Sequence, residues 1–109
     1  MNPAVWVQRN GNERPDRPAL AEGDRVHATW SQFAAASAGV AGGLTQRYGL
    51  ESGNRVAIVM RNRPEYLEAL FGIWHAGLVA VPVNARLHRD EIKYILEHSA
   101  SALVLTDDE

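Results

Sequence analysis

Cysteine is absent from this 109-residue chain, which excludes disulfides, thiolate catalysis and cysteine-ligated zinc, and fits a reducing compartment. Lysine occurs only at Lys93. Basic charge is not in excess: the formal net charge of −2 leaves no basic footprint for nucleic acid. No apolar run approaches the ~20 residues of a membrane span. The start, Met1-Asn2-Pro3-Ala4-Val5-Trp6, lacks the basic lead and apolar stretch of a signal peptide, so a cytoplasmic protein is expected. Neither G-x-G-x-x-G nor G-x-x-x-x-G-K-[ST] occurs, so the familiar phosphate loops are missing. The serines show no nucleophile elbow, and no two histidines stand four residues apart on one helical face; no metal site is expected.

What is present is α/β patterning. Residues 50–109 read as strand Arg55–Met60, helix Pro64–Leu78, strand Val79–Asn84, helix Arg89–His98 and strand Ala102–Thr106. This βαβαβ alternation predicts a parallel sheet whose strands are covered by helices. Pro82 inside the second strand predicts an edge, a bulge or a strand start. Residues 19–49 begin with a hairpin, Ala19–Glu22 and Arg25–Ala28 around Gly23-Asp24. Thr29-Trp30-Ser31-Gln32 is a capping box for a helix that aligns Phe33, Ala36, Val40 and Leu44 and ends near Tyr48-Gly49. Residues 1–18 give a short helix capped by Asn2, with Val5, Trp6 and Arg9 on one side and Gly11-Asn12 at its end, then a stiff Pro-bounded link.

Three glycines, Gly39, Gly42 and Gly43, lie within the second helix. Phosphate-binding glycines belong at a helix start, where free N–H groups point outward. These lie in the middle, so close packing of helix on sheet is the expected reason. The helix Pro64–Leu78 is apolar almost all round: Tyr66, Leu67, Leu70, Phe71, Ile73, Trp74 and Leu78, broken by Glu65, Glu68 and His75. Such a helix must be covered almost all round. Later sequence or a second subunit is expected to complete the cover, which makes a homodimer conceivable. The helix Arg89–His98 turns Ile92, Ile95, Leu96 and Ser99 inward, and Lys93 is expected to pair on the surface with Glu97 or Asp90. The aromatic residues are expected in the core.

In open α/β sheets ligands sit beyond the carboxyl ends of the strands. Polar residues arrive there twice, as Arg61-Asn62-Arg63 and as Asn84-Ala85-Arg86. Arg61, Asn62, Asn84 and Arg86 are therefore the candidate ligand-facing residues, since arginine suits carboxylate or phosphate. The competing reading has Asn62 and Asn84 capping turns while the arginines pair with acids such as Glu65 and Asp90. No residue is expected to be catalytic.

Several segments together carry a resemblance. Thr29-Trp30-Ser31-Gln32-Phe33, Gly53-Asn54-Arg55-Val56-Ala57-Ile58, Asn62-Arg63-Pro64-Glu65 and His75-Ala76-Gly77-Leu78-Val79-Ala80-Val81-Pro82-Val83-Asn84-Ala85-Arg86-Leu87 stand in order at ordinary spacing. So do Glu91–Ser99 and Ala102–Thr106. The set resembles the N-terminal part of the adenylate-forming, AMP-binding enzymes, and is most similar to fatty-acyl and other acyl-CoA synthetases. The resemblance runs from about Trp6 to Glu109. Asn54, His75 and the His88-Arg89 pair depart from common family residues, which bears on subfamily.

That resemblance implies a large N-terminal α/β domain of which residues 1–109 are a portion. It implies a two-step reaction: a carboxylate attacks the α-phosphate of ATP with Mg2+ assisting, and the acyl group of the adenylate then passes to coenzyme A. The family's Ser/Thr/Gly-rich loop, its later acidic motifs and its C-terminal lysine have no counterpart here. The isolated chain is therefore expected to be inactive and to bind none of ATP, Mg2+ or CoA by itself. The expected partners are the remainder of the adenylation domain and a C-terminal domain. Two alternatives remain: a non-catalytic α/β interaction or dimerisation module, and a flavodoxin-like nucleotide binder.

Overall fold

The computed structural model describes residues 2–107. Helix α1 (Ala4–Glu13) is followed by the antiparallel hairpin β1 (Pro18–Glu22) and β2 (Arg25–Thr29). Helix α2 (Trp30–Gly42) continues into a π-helical turn, Gly43–Arg47. Then come β3 (Arg55–Met60), α3 (Pro64–His75), β4 (Val79–Asn84), α4 (Arg89–His98) and β5 (Leu103–Thr106). The three later strands form a parallel sheet in the order β4-β3-β5. Right-handed crossovers in this order place α3 and α4 on opposite faces. The expected α/β architecture, hairpin and helix followed by a βαβαβ unit, is the one observed.

Local chemistry explains most boundaries. Thr29 Oγ1 accepts from the Gln32 N–H at 3.3 Å and Gln32 Oε1 accepts from the Thr29 N–H at 2.9 Å, a reciprocal capping box. Thr29→Ala is expected to cost about 1 kcal/mol, read as a lower midpoint in a urea titration. Asn2 Oδ1 accepts from the Ala4 N–H at 2.9 Å and starts α1. Gly77 at φ +77° ends the turn after α3, so Leu78 leaves the helix that the sequence pattern carried through it. Central β3 is fully buried at Val56, Ala57 and Ile58, whereas β4, with Pro82, is an edge strand.

Two apolar clusters hold the chain together. One gathers Leu44, Val56, Ile58, Ala69, Ile73 and Leu78 between α2, α3 and the sheet. The other joins Val7, Leu20, Ala28, Phe33 and Ala34 beneath the hairpin. Phe33, Phe71 and Trp74 link them edge-to-face, with centroids 5.4 and 5.1 Å apart. Phe71 and Trp74 are half-buried rather than sealed, and Leu67 remains exposed.

The structure corrects several sequence expectations. Helix α1 runs through Gly11-Asn12, and it buries Ala4 and Val7, while Val5 and Trp6 face outward with Trp6 67% exposed. A helix turns 100° per residue, and the small Ala4 permits close approach to its neighbours where the bulky Trp6 does not. A Cβ at Gly39, Gly42 or Gly43 would meet nothing within 4 Å, so these glycines do not serve close packing. The close approach falls at Gly72, where a Cβ would lie 2.5 Å from Val40 Cβ. Tyr48 and Tyr94 are exposed, not core. Lys93 forms no ion pair among the described residues, since a solvated ammonium gains little from such a pair. Helix α4 buries no residue fully; Ile92, Ile95 and Leu96 are half-buried.

Candidate functional site

Parallel strands all deliver their following loops to one edge of the sheet. Register pairs Met60 with Asn84 and Val59 with Thr106, so the residues just after β3, β4 and β5 meet there. A cleft of about 630 Å3 opens at this edge. Arg61, Asn62, Asn84 and Arg86, the four candidates from the sequence, all line it, together with Arg63 and Tyr66. Glu22 from the hairpin closes one side. A second cleft of about 570 Å3 adjoins it, shares Glu22, Asn62, Arg63 and Tyr66, and is lined by apolar Ala19, Leu20, Pro64 and Leu67.

The polar groups are held differently. Asn84 Oδ1 accepts from the Arg86 N–H at 2.9 Å, and the Leu87 N–H donates to the Asn84 carbonyl at 3.2 Å. Asn84 thus caps the turn that carries Arg86, as the competing reading held. The Arg86 guanidinium has no ion-pair partner among the described residues, so Asp90 does not neutralise it; Asp90 instead lies 3.6 Å from His88 Nδ1. The side chain of Asn62 makes no hydrogen bond among the described residues, so it does not cap its turn. Arg61 and Arg63 turn away from Glu65 toward Asp107, with Nε to Oδ2 distances of 3.3 and 3.8 Å. The reason is geometric: Asp107 follows β5, the immediate neighbour of β3, while Glu65 already lies in the first turn of α3.

Burial alone would raise the Asp107 pKa; hydrogen bonds from the Arg61 amide and guanidinium outweigh it and hold the carboxyl below its ordinary range. Burial pushes the pKa of the Tyr66 phenol up. Asp107 and Tyr66 were not found by reading motifs. Tyr66 sits in an apolar helical pattern, and only the strand order β4-β3-β5 brings Asp107 beside Arg61.

This site carries cations and amides suited to an anion. Among the described residues it has no group of three or more His, Cys, Asp or Glu side chains placed to hold a metal ion. A parallel sheet with a cationic cleft at its carboxyl edge has the arrangement at which ligands of open α/β sheets sit. Comparison narrows the class. The family model for the AMP-binding enzyme matches residues 7–109. The chain is 35% identical over 108 residues to 4-hydroxybutyrate–CoA ligase 2 of Metallosphaera sedula, covering 99% of this chain and 19% of that one. It is 32% identical over 109 residues to acetate–CoA ligase CCL3 of Humulus lupulus, with 100% and 19% covered. In structure it is similar to the N-terminal domain of FACL13 from Mycobacterium tuberculosis, with TM-score 0.89, 32% identity, and 97% and 27% of the two chains covered. It is also similar to O-succinylbenzoate coenzyme A synthetase from Bacillus subtilis in complex with ATP and magnesium ion, with TM-score 0.84, 31% identity, and 94% and 28% covered. The chain belongs to the AMP-binding enzyme family. It spans about a fifth of the length of these curated relatives, at 19%.

No helix among the described residues is long and apolar enough to cross a membrane.

Proposed function

We propose that this chain is the N-terminal segment, residues 1–109, of the adenylation domain of an ATP-dependent carboxylate–CoA ligase. The observation that carries the proposal is the continuous match to CoA ligases over 99% of the chain at only 19% of a relative's length. In this reading residues 1–18 form an N-terminal helix and linker, residues 19–49 a hairpin with its helix, and residues 50–109 a βαβαβ unit. The remainder of the adenylation domain and a C-terminal domain are its partners. They cover what α3 leaves open at Leu67, Phe71 and Trp74.

The parent enzyme uses ATP and Mg2+ to activate a small carboxylic acid, a fatty acid or a related acid, and passes the acyl group to CoA in the cytoplasm. The described residues of this chain hold no donor set for the metal, so no step of the phosphate chemistry is assigned to them. Their part is scaffolding and one cationic wall. Arg61, Asn62, Asn84 and Arg86 face the approach of the anionic coenzyme. A guanidinium without an ion-pair partner among the described residues, such as that of Arg86, supports this role, because its fork matches phosphate oxygens.

Pyrophosphate release tests the proposal on the 109 residues and on the longest natural polypeptide that contains them. The longer protein is expected to release pyrophosphate with ATP only when a carboxylic acid is supplied; the 109 residues alone are expected to release none. Turnover by the short chain would refute its being a segment. A monodisperse homodimer of the short chain in sedimentation would instead favour the non-catalytic interaction module.

A further inference from the structure

Three nitrogen groups converge on a single oxygen atom at the carboxyl edge of the sheet. Asp107 Oδ2 lies 3.3 Å from the Arg61 amide nitrogen, 3.3 Å from Arg61 Nε and 3.8 Å from Arg63 Nε. One main-chain N–H and two guanidinium arms from a single loop thus define a place for an oxyanion. Asp107 enters it from a different element, the end of β5, and its side chain is only 13% exposed. Arg61 and Arg63 also line the 630 Å3 cleft, whose other strand loop contributes Arg86.

We propose that Arg61 and Arg63 form an anion position for a phosphate-bearing ligand, and that the Asp107 carboxylate is a built-in stand-in that such a ligand displaces. The proposal rests on reading the cleft as the coenzyme-facing wall. Asp107 touches the arginines and not the cleft's opposite side, so it acts through them as a positioning residue. It holds both guanidinium groups near one point, and it lowers their net charge while no ligand is present. A ligand phosphate carries more charge and more acceptor oxygens than a carboxylate, and so competes for the same donors.

The sign of one substitution separates this role from a purely structural clip. Removing a structural clip loosens the loop and weakens binding, whereas removing a competing anion strengthens it. The test uses the longest natural polypeptide containing this chain, with binding of coenzyme A and of inorganic phosphate measured by calorimetry. Asp107→Asn is expected to bind coenzyme A roughly two- to fivefold more tightly at low salt, the range of an exposed charge pair. The gain is expected to fade near ~1 M salt, where the Debye length is ~3 Å. Asp107→Glu keeps the charge and is expected to bind as the unaltered protein does. Asp107→Ser serves the same purpose should the asparagine variant fail to fold, since it removes the charge with a smaller neutral side chain. Unchanged or weaker binding of both probes by the folded uncharged variants overturns the proposal, even where Arg86→Ala weakens coenzyme A binding. Tighter inorganic phosphate binding by Asp107→Asn, with coenzyme A binding indifferent to Arg86→Ala, upholds the anion position and removes the coenzyme reading instead.

Discussion

Gly72→Val is expected to be among the most damaging single substitutions in this chain, costing about 3 kcal/mol, the upper part of the overpacking range. A Cβ at this position would lie 2.5 Å from Val40 Cβ, 2.6 Å from Val40 Cγ1 and 3.0 Å from the Ser37 carbonyl oxygen. Two of these are Cβ or branched-carbon atoms close to the main chain and the third is main chain, so no flexible tip can move aside. The whole of α3 must withdraw from α2, and Ile73, fully buried one residue on, withdraws with it. Ser37 Oγ, buried on the facing helix, has no hydrogen-bond partner among the described residues. The comparison that isolates the cause is Gly39→Ala. A Cβ there meets nothing within 4 Å, and the helix gains about 1 kcal/mol of propensity. Opposite shifts of the denaturant midpoint are therefore expected from two glycines on packed helices. Equal shifts would mean that α2 and α3 do not approach as described. Gly72→Ala combined with Val40→Ala is expected to recover part of the loss, because the two sites share one volume.

Phe33→Ala is expected to cost about 3–5 kcal/mol. Phe33 is 3% exposed and lies 5.4 Å from Phe71 and 5.9 Å from Trp30, ring centroid to centroid. It belongs to the cluster beneath the hairpin, yet through Phe71 it also steadies the helix that packs on the parallel sheet. Its loss therefore loosens the joint between the two clusters as well as leaving a cavity. Trp6→Ala, at a site 67% exposed, is expected to stay within about 0.5 kcal/mol. Thermal unfolding followed by circular dichroism reads both. A large loss at Trp6 with little at Phe33 would contradict the burial described.

The candidate site was legible in part. The loops after two parallel strands lie at the carboxyl edge, where ligands of open α/β sheets sit, and one cleft there gathers all four candidate residues. Glu65 and Asp90 looked like partners for the arginines because they are near in sequence. Asp107 is the partner of Arg61 and Arg63, more than forty positions away, because β5 lies beside β3. Nearness along a chain competes with nearness across a sheet, and strand order decides which prevails.

By itself the amino-acid pattern determined the elements: strands β3 and β4 and helix α4 at their observed bounds and the capping box at Thr29, and it narrowed Pro82 to an edge, a bulge or a strand start, of which the sheet order realises the edge. These depend on periodicity, hydroxyl caps and a missing N–H, all properties of neighbouring residues. Tertiary structure alone decided which glycine admits a neighbouring helix, which face of α1 turns inward, and which acid meets Arg61. Each of those depends on what another segment brings to the same place, and single-segment chemistry holds no record of that.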